Sequence, residues 1–334
     1  MTTAPAAQDN NERIKALAED IARLIWNNKV DDAIQKFRAE SNDDRYAILM
    51  DGDPGVLHLA AGCNRVDAIT AMLDGLSADR RLAAITAVNT NGYNPLHRAA
   101  YNGRVDAITV MLDGLSADRR LAVITAVDTE GSTPLHVAAY NGHAGAIIAM
   151  LGGLLPEHHL AAMMVPNMFR RTPLHEAAYN GRVNAITTML ARLNVAQCRD
   201  ALFNLEYGVG TKLAQEYAKN AQHADAQRYL DTLINGVVPL IPFGNDKKEL
   251  ITGILQKVTE INPQAQIPSA AVKYLDTPKT VGGYLQGLQG SFAQAATADT
   301  TTVPGKDHTP GAKGDTGVHK CKMRRIRYGC EPRS

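Results

Sequence analysis

The chain reads as an all-α solenoid with three short helices per unit, continued by a small C-terminal helical extension and a disordered tail. Three observations carry that reading. His58, His97, His136 and His175 stand at a constant interval of 39 residues, each inside a similar stretch, and a fixed period of this size marks stacked supersecondary units. Apolar residues in each stretch recur at helical spacing, as Val105, Ile108, Met111 and Leu112 do, so one stripe of each helix faces its neighbours. With 45% hydrophobic residues in 334, the chain has enough apolar material for a continuous core.

Taken in order, residues 1–19 read as a flexible N-terminus, and the first twenty residues, MTTAPAAQDNNERIKALAED, hold no apolar stretch of secretory length. A degenerate copy covers residues 20–57, with NKVDDAIQKF and SNDDRYAIL, and the repeats run over residues 58–232, closing on the decayed TKLAQEYAKNAQHADAQRYL. The ends of a solenoid need a polar outer face, so atypical terminal copies act as caps. Within each unit, Pro95, Pro134 and Pro173 suit the first turn of an inner helix, where no backbone N–H is needed, and Thr133 or Thr172 can cap that turn. Gly103, Gly142 and Gly181 then stop it, and an outer helix with the apolar stripe follows. In LSADRRLAAITAV and LSADRRLAVITAV, Ser77 and Ser116 are placed as N-caps, with Asp79 and Asp118 in the first turn and Leu82, Ile85 and Val88 on one side. Pro156 opens the corresponding stretch of the next copy, so each unit is expected to hold a third short helix.

The stretches GYNPLHRAAYNGRVDAIT, GSTPLHVAAYNGHAGAII and RRTPLHEAAYNGRVNAIT resemble the T-P-L-H-x-A-A-x-x-G pattern of ankyrin repeats, in full over residues 133–142 and 172–181. Asn94 replaces the threonine in one copy, and the first, VLHLAAGCNRVDAIT, has lost both threonine and proline. The resemblance covers roughly residues 20–232. A usual unit of this family has about 33 residues, so the longer unit places its extra helix where the family has a hairpin arm. The resemblance implies a histidine that ties neighbouring backbone segments together. It also implies a non-catalytic scaffold that binds a partner protein across the loop tips and the exposed, concave side of the inner helices. By register, the loop-tip candidates are Tyr93, Glu130, Phe169 and Arg171, and the inner-helix candidates are the pairs Tyr101-Asn102, Tyr140-Asn141 and Tyr179-Asn180. Stacked at roughly 10 Å, the three tyrosines would form a ladder in a chain with only 5% aromatic residues, and tyrosine is favoured at binding hot spots. The contrasting reading is that each Tyr-Asn pair was copied with its repeat and packs locally. The long repeats and the flexible tail are also similar to the ankyrin effectors of intracellular bacteria, which implies a cytoplasmic protein translocated into a host cell to act on a host protein.

Composition removes several other functions. Lys+Arg 35 against Asp+Glu 34 leaves a net charge of +1, so no global field draws the molecule to nucleic acid or anionic lipid. Nowhere do eighteen apolar residues run together, so no transmembrane span is expected. The four spaced histidines would lie about 10 Å apart, too far to share one ion, and His158-His159 reads as a surface pair. GxxxxGK[ST], GxSxG and HExxH are absent, so no catalytic residue, metal or cofactor is expected. Cys63, Cys198, Cys321 and Cys330 are too scattered for a disulfide framework and read as free thiols. Residues 233–296 read as the helical extension, with Leu250, Ile251, Ile254, Leu255 and Val258 on one stripe. Residues 297–334 form the disordered tail, rich in Thr, Gly, Pro and Lys, whose end carries Lys320, Lys322, Arg324, Arg325, Arg327 and Arg333 against one Glu331. Two alternatives to the scaffold follow: a small catalytic domain in residues 233–296 delivered by the repeats, and attachment to nucleic acid or acidic lipid through the basic tail at 320–333. Such a tail is equally what a solubilising end looks like.

Overall fold

The computed structural model describes residues 5–53, 55–203, 231–232 and 235. The expectations for the extension at 233–296 and for the tail at 297–334 lie outside the described residues, apart from Asn235.

Four successive units share one plan of inner, outer and third helix. The first comprises α4 (Val56–Gly62), α5 (Val66–Leu73) and α6 (Ala78–Thr86), and the second α7 (Pro95–Tyr101), α8 (Val105–Leu112) and α9 (Ala117–Ile124). The third comprises α10 (Pro134–Asn141), α11 (Ala144–Leu151) and α12 (Pro156–Met163), and the fourth α13 (Pro173–Tyr179), α14 (Val183–Leu190) and α15 (Val195–Phe203). Each helix packs on its counterpart one unit along, giving three parallel rows: α4, α7, α10, α13; α5, α8, α11, α14; and α6, α9, α12, α15. The described residues thus form an all-α solenoid with the extra helix per repeat that the longer period predicts.

Local chemistry sets these helices. Pro95, Pro134, Pro156 and Pro173 each open a helix, where a missing N–H costs nothing. Ser77 Oγ accepts from the Arg80 amide at 3.3 Å and Ser116 Oγ from the Arg119 amide at 3.5 Å, caps worth about 1 kcal/mol each. With seven to nine residues apiece, such helices are too short to persist alone in water. Their stability comes from burial: Ile69, Ile108, Ile147 and Ile186, one per outer helix, are fully buried in a single core that also takes Leu57, Leu96, Leu135 and Leu174 from the inner row. Truncating one of these to alanine is expected to cost about 2–5 kcal/mol.

Before the first unit, the structure corrects the sequence reading. Residues from Pro5 onward are not a flexible N-terminus but the start of α1 (Pro5–Trp26), followed by α2 (Val30–Arg38) and α3 (Asn42–Met50). Ile14, Ala18, Ile21 and Ile25 lie on one side of α1 and are buried, and α1 packs on α4, α2 on α5 and α3 on α6. The physical reason is that the inner row would otherwise expose the apolar face of α4; the stripe that covers it is four residues wide and diluted by polar neighbours. A second correction concerns the thiols. Cys198 is free and buried, but Cys63 is disulfide-bonded, because pairing is decided by distance in the fold and not by spacing in the chain.

Candidate partner-binding surface

The surface begins with the bonds that join unit to unit. His58 Nε2 donates to the carbonyl of Tyr93 at 2.8 Å, His97 Nε2 to that of Ser132 at 2.9 Å and His136 Nε2 to that of Arg171 at 2.9 Å. On the other side of the ring, Nδ1 of His97, His136 and His175 accepts from the backbone amides of Asn94, Thr133 and Thr172. An imidazole that donates from one nitrogen and accepts at the other is neutral. Burial accordingly pushes His58, His97 and His136 down to about 4. These histidines are structural ties, as the resemblance implies, and among the described residues no cluster of histidine, cysteine and carboxylate could hold a metal.

The loops between units are built the same way three times. Asn89 Oδ1 accepts from the amides of Asn91 and Tyr93, Asp128 Oδ1 from Glu130 and Ser132, and Asn167 Oδ1 from Phe169 and Arg171, all at 2.8–3.0 Å. Adjacent loops are then cross-linked, the Thr129 amide to the Asn91 carbonyl at 3.3 Å and the Met168 amide to the Glu130 carbonyl at 2.9 Å. The loop tips therefore stand on a hydrogen-bonded frame. At the fourth residue of this turn the chain needs a left-handed conformation, which glycine supplies at Gly92 and Gly131 with φ of 73° and 74°. Arg170 adopts it at 57° in the third loop, at a cost of about 1 kcal/mol.

On this frame the candidate residues differ from one another. Tyr93 is half-buried, its ring stacked on His97 at 5.5 Å between centroids, and burial raises its phenol to about 12. Glu130 is also half-buried. Tyr101 packs against the core, and the carbonyls of Tyr101 and Tyr140 accept from His143 Nε2 and Arg182 Nε of the next unit, both at 3.1 Å. Asn102, Asn141 and Asn180 spend their amides on the carbonyls of Arg98, Val137 and Glu176 at the ends of their own helices, at 3.2, 2.9 and 2.8 Å. The tyrosine rungs are therefore unequal: Tyr101 and Tyr140 are half-buried, while Tyr179 is 38% exposed.

The fourth unit stands apart. Phe169 is 40% exposed and Met168 64%, and the Arg171 guanidinium lies 4.4 Å above the centre of the Tyr179 ring. Arg171 is held there by Glu176, 3.8 Å away and only 3% exposed, whose carboxylate also accepts from Asn167 Nδ2 at 3.2 Å. Burial raises the Glu176 carboxyl above the usual range, against the pull of Arg171 and Asn167. The sequence reading missed Glu176 and Asn167, although a carboxylate at the position held by Leu59 and Val137 in other units was the available signal.

The His158-His159 pair also needs correcting. His158 is half-buried and His159 is buried, because the third helix packs between its counterparts before and after it.

Residues 91–122 match the model of the ankyrin repeat and residues 119–199 that of ankyrin repeats in three copies, so the second to fourth units are ankyrin repeats, each lengthened by a third helix. No curated protein matches the chain.

Proposed function

We propose that the protein is a non-catalytic scaffold that seats a partner polypeptide across the loop tips and the exposed side of the inner helices, with its strongest anchors on the fourth unit. The observation that carries this is the Phe169, Arg171 and Tyr179 group, in which Phe169 and Tyr179 are exposed and the half-buried Arg171 is already fixed over the Tyr179 ring. Aromatic residues and arginine that need little further ordering make effective interface anchors. Ankyrin repeats in general are binding modules, and no helix among the described residues is long and apolar enough to cross a membrane. The Tyr101, Tyr140 and Tyr179 ladder extends the surface toward the earlier units. Replacing all three by alanine is expected to abolish capture of the partner by the full chain while leaving its helical circular dichroism intact; unchanged capture would refute the reading.

The narrower form, a bacterial effector that starts in the cytoplasm and acts on a host protein, draws its support from the long repeats and from the composition of residues 297–334. Comparing translocation with and without those residues tests it, equal delivery removing the tail's part.

A further inference from the structure

The third unit departs from its neighbours on the outer-helix side. Four positions there are exposed in each of the first three units. The first unit fills them with Asp67, Thr70, Asp74 and Ser77, and the second with Asp106, Thr109, Asp113 and Ser116. The third has Gly145, Ile148, Gly152 and Leu155, and the fourth returns to polar residues at three of them, Asn184, Thr187 and Asn194. In one unit, then, all four polar side chains are gone together. Its outer helix α11, AGAIIAML, carries no polar side chain at all, although a helix packed on one side needs only an apolar stripe.

The four changes make one patch. Gly145, Ile148 and Gly152 are spaced i, i+3 and i+7 and so lie along one side of α11, and Leu155 follows just before α12. Ile148 is 47% exposed and Leu155 45%. Val105 of the second unit, also exposed, extends the patch: its Cγ2 lies 3.0 Å from where a Cβ on Gly145 would sit. Single exposed apolar residues are ordinary, but a contiguous group with a polar surround marks a contact surface.

The surround indicates what the contact is with. On one flank, the second unit presents exposed Asp106 at the start of α8 and exposed Asp113 just past its end. On the other, the fourth unit has Asn184 and Ala191 at those positions and carries Arg182 just before α14 and Arg192 just past it. Arg182 is exposed, whereas Arg104, its counterpart in the second unit, is half-buried with Nε on the Gly62 carbonyl. A surface with acid on one flank and base on the other is complementary to itself. A two-fold axis parallel to α11 sets the second unit of one copy against the fourth of the other, helix start to helix start. Asp106 then faces Arg182 of the second copy and Asp113 faces its Arg192, which fixes the register of the pair.

We propose that this patch is a self-association surface, through which two copies of the chain pair by their third units, α11 against α11. The inference does not depend on the binding reading, because the patch lies on the outer row and holds the chain itself, not the protein seated at the inner-helix side. A patch of this size suits a weak dimer.

Sedimentation equilibrium of the full chain between about 5 and 200 µM tests it, with the fold of each variant read by helical circular dichroism. The average mass of the wild type is expected to rise from monomer toward dimer, while Ile148→Asp stays monomeric throughout. Asp106→Arg and Arg182→Asp are each expected to weaken pairing about tenfold. An equimolar mixture of those two variants is expected to restore it, because every changed charge then meets its opposite. A wild type that stays monomeric at every concentration would overturn the proposal and leave the patch to a different protein. Pairing that survives Ile148→Asp, or a mixture no better than its parts, would overturn it equally.

Discussion

The inner-helix row and the loop-tip row pass through the same units side by side, yet one is uniform and the other is not. Along the inner row, His58, His97 and His136 each make the same bond to the next unit with donor–acceptor distances within 0.1 Å of one another. Along the tips, the residues at one position are Asn91, Glu130 and Phe169, and two places further on Tyr93, Ser132 and Arg171. The backbone of the tips is as regular as the inner row, since Asn89, Asp128 and Asn167 close the same turn. The difference teaches a division of labour: repeated side chains hold the stack in register, and the framework they hold lets the tips vary without loosening.

Acid should break the inner row first. The unfolded chain protonates its histidines near 6.5, whereas His58, His97 and His136 in the folded state resist until about 4. Between those values the unfolded state binds more protons, so the stability these residues contribute is complete above pH 6.5 and is lost as pH falls toward 4. With three such groups the loss is on the order of several kcal/mol, read as a fall in denaturant midpoint between pH 7 and pH 4.5. A flat profile over that window would mean the imidazoles are not held neutral.

Single ties come next. His136→Ala removes the donor to the Arg171 carbonyl and leaves that buried acceptor unpaired, which should cost about 2–4 kcal/mol by equilibrium unfolding. Replacements at the tips should do the reverse. Phe169→Ala or Tyr179→Ala is expected to weaken partner binding by about 2 kcal/mol and to change unfolding free energy by less than about 0.5 kcal/mol. If the tip variants unfolded as readily as the histidine variant, the division between the two rows would fail. The smallest effect is at Arg170, whose left-handed backbone matches Gly92 and Gly131; Arg170→Gly should stabilise the protein by about 1 kcal/mol in the same unfolding measurement.

Much of this was legible in the residues. The period, the helix-opening prolines, the serine caps and the third helix all follow from chemistry that is local in sequence. The histidine ties were implied by the family pattern. What escaped was non-local. The Ile14, Ala18, Ile21 and Ile25 stripe of α1 has meaning only against the open face of α4. His159 looked like half of a surface pair because the two carbonyls it contacts lie far from it in the chain, eight residues back at the end of α11 and 33 residues on, beyond the end of α14. At the candidate surface, the Tyr-Asn pairs were visible, but not that the asparagines would turn back onto their own helix ends. Nor could the sequence show that buried Glu176 fixes Arg171 over Tyr179.

The central claim is that the partner meets the loop tips and inner-helix side of the repeats. Site-specific photo-crosslinking tests it directly, with the probe placed in the full chain at position 169, at position 179, or at Ile148, an exposed residue of the outer helix α11. The account predicts that one and the same protein is captured from 169 and 179 and not from 148. Capture from 148 with none from the other two would contradict it.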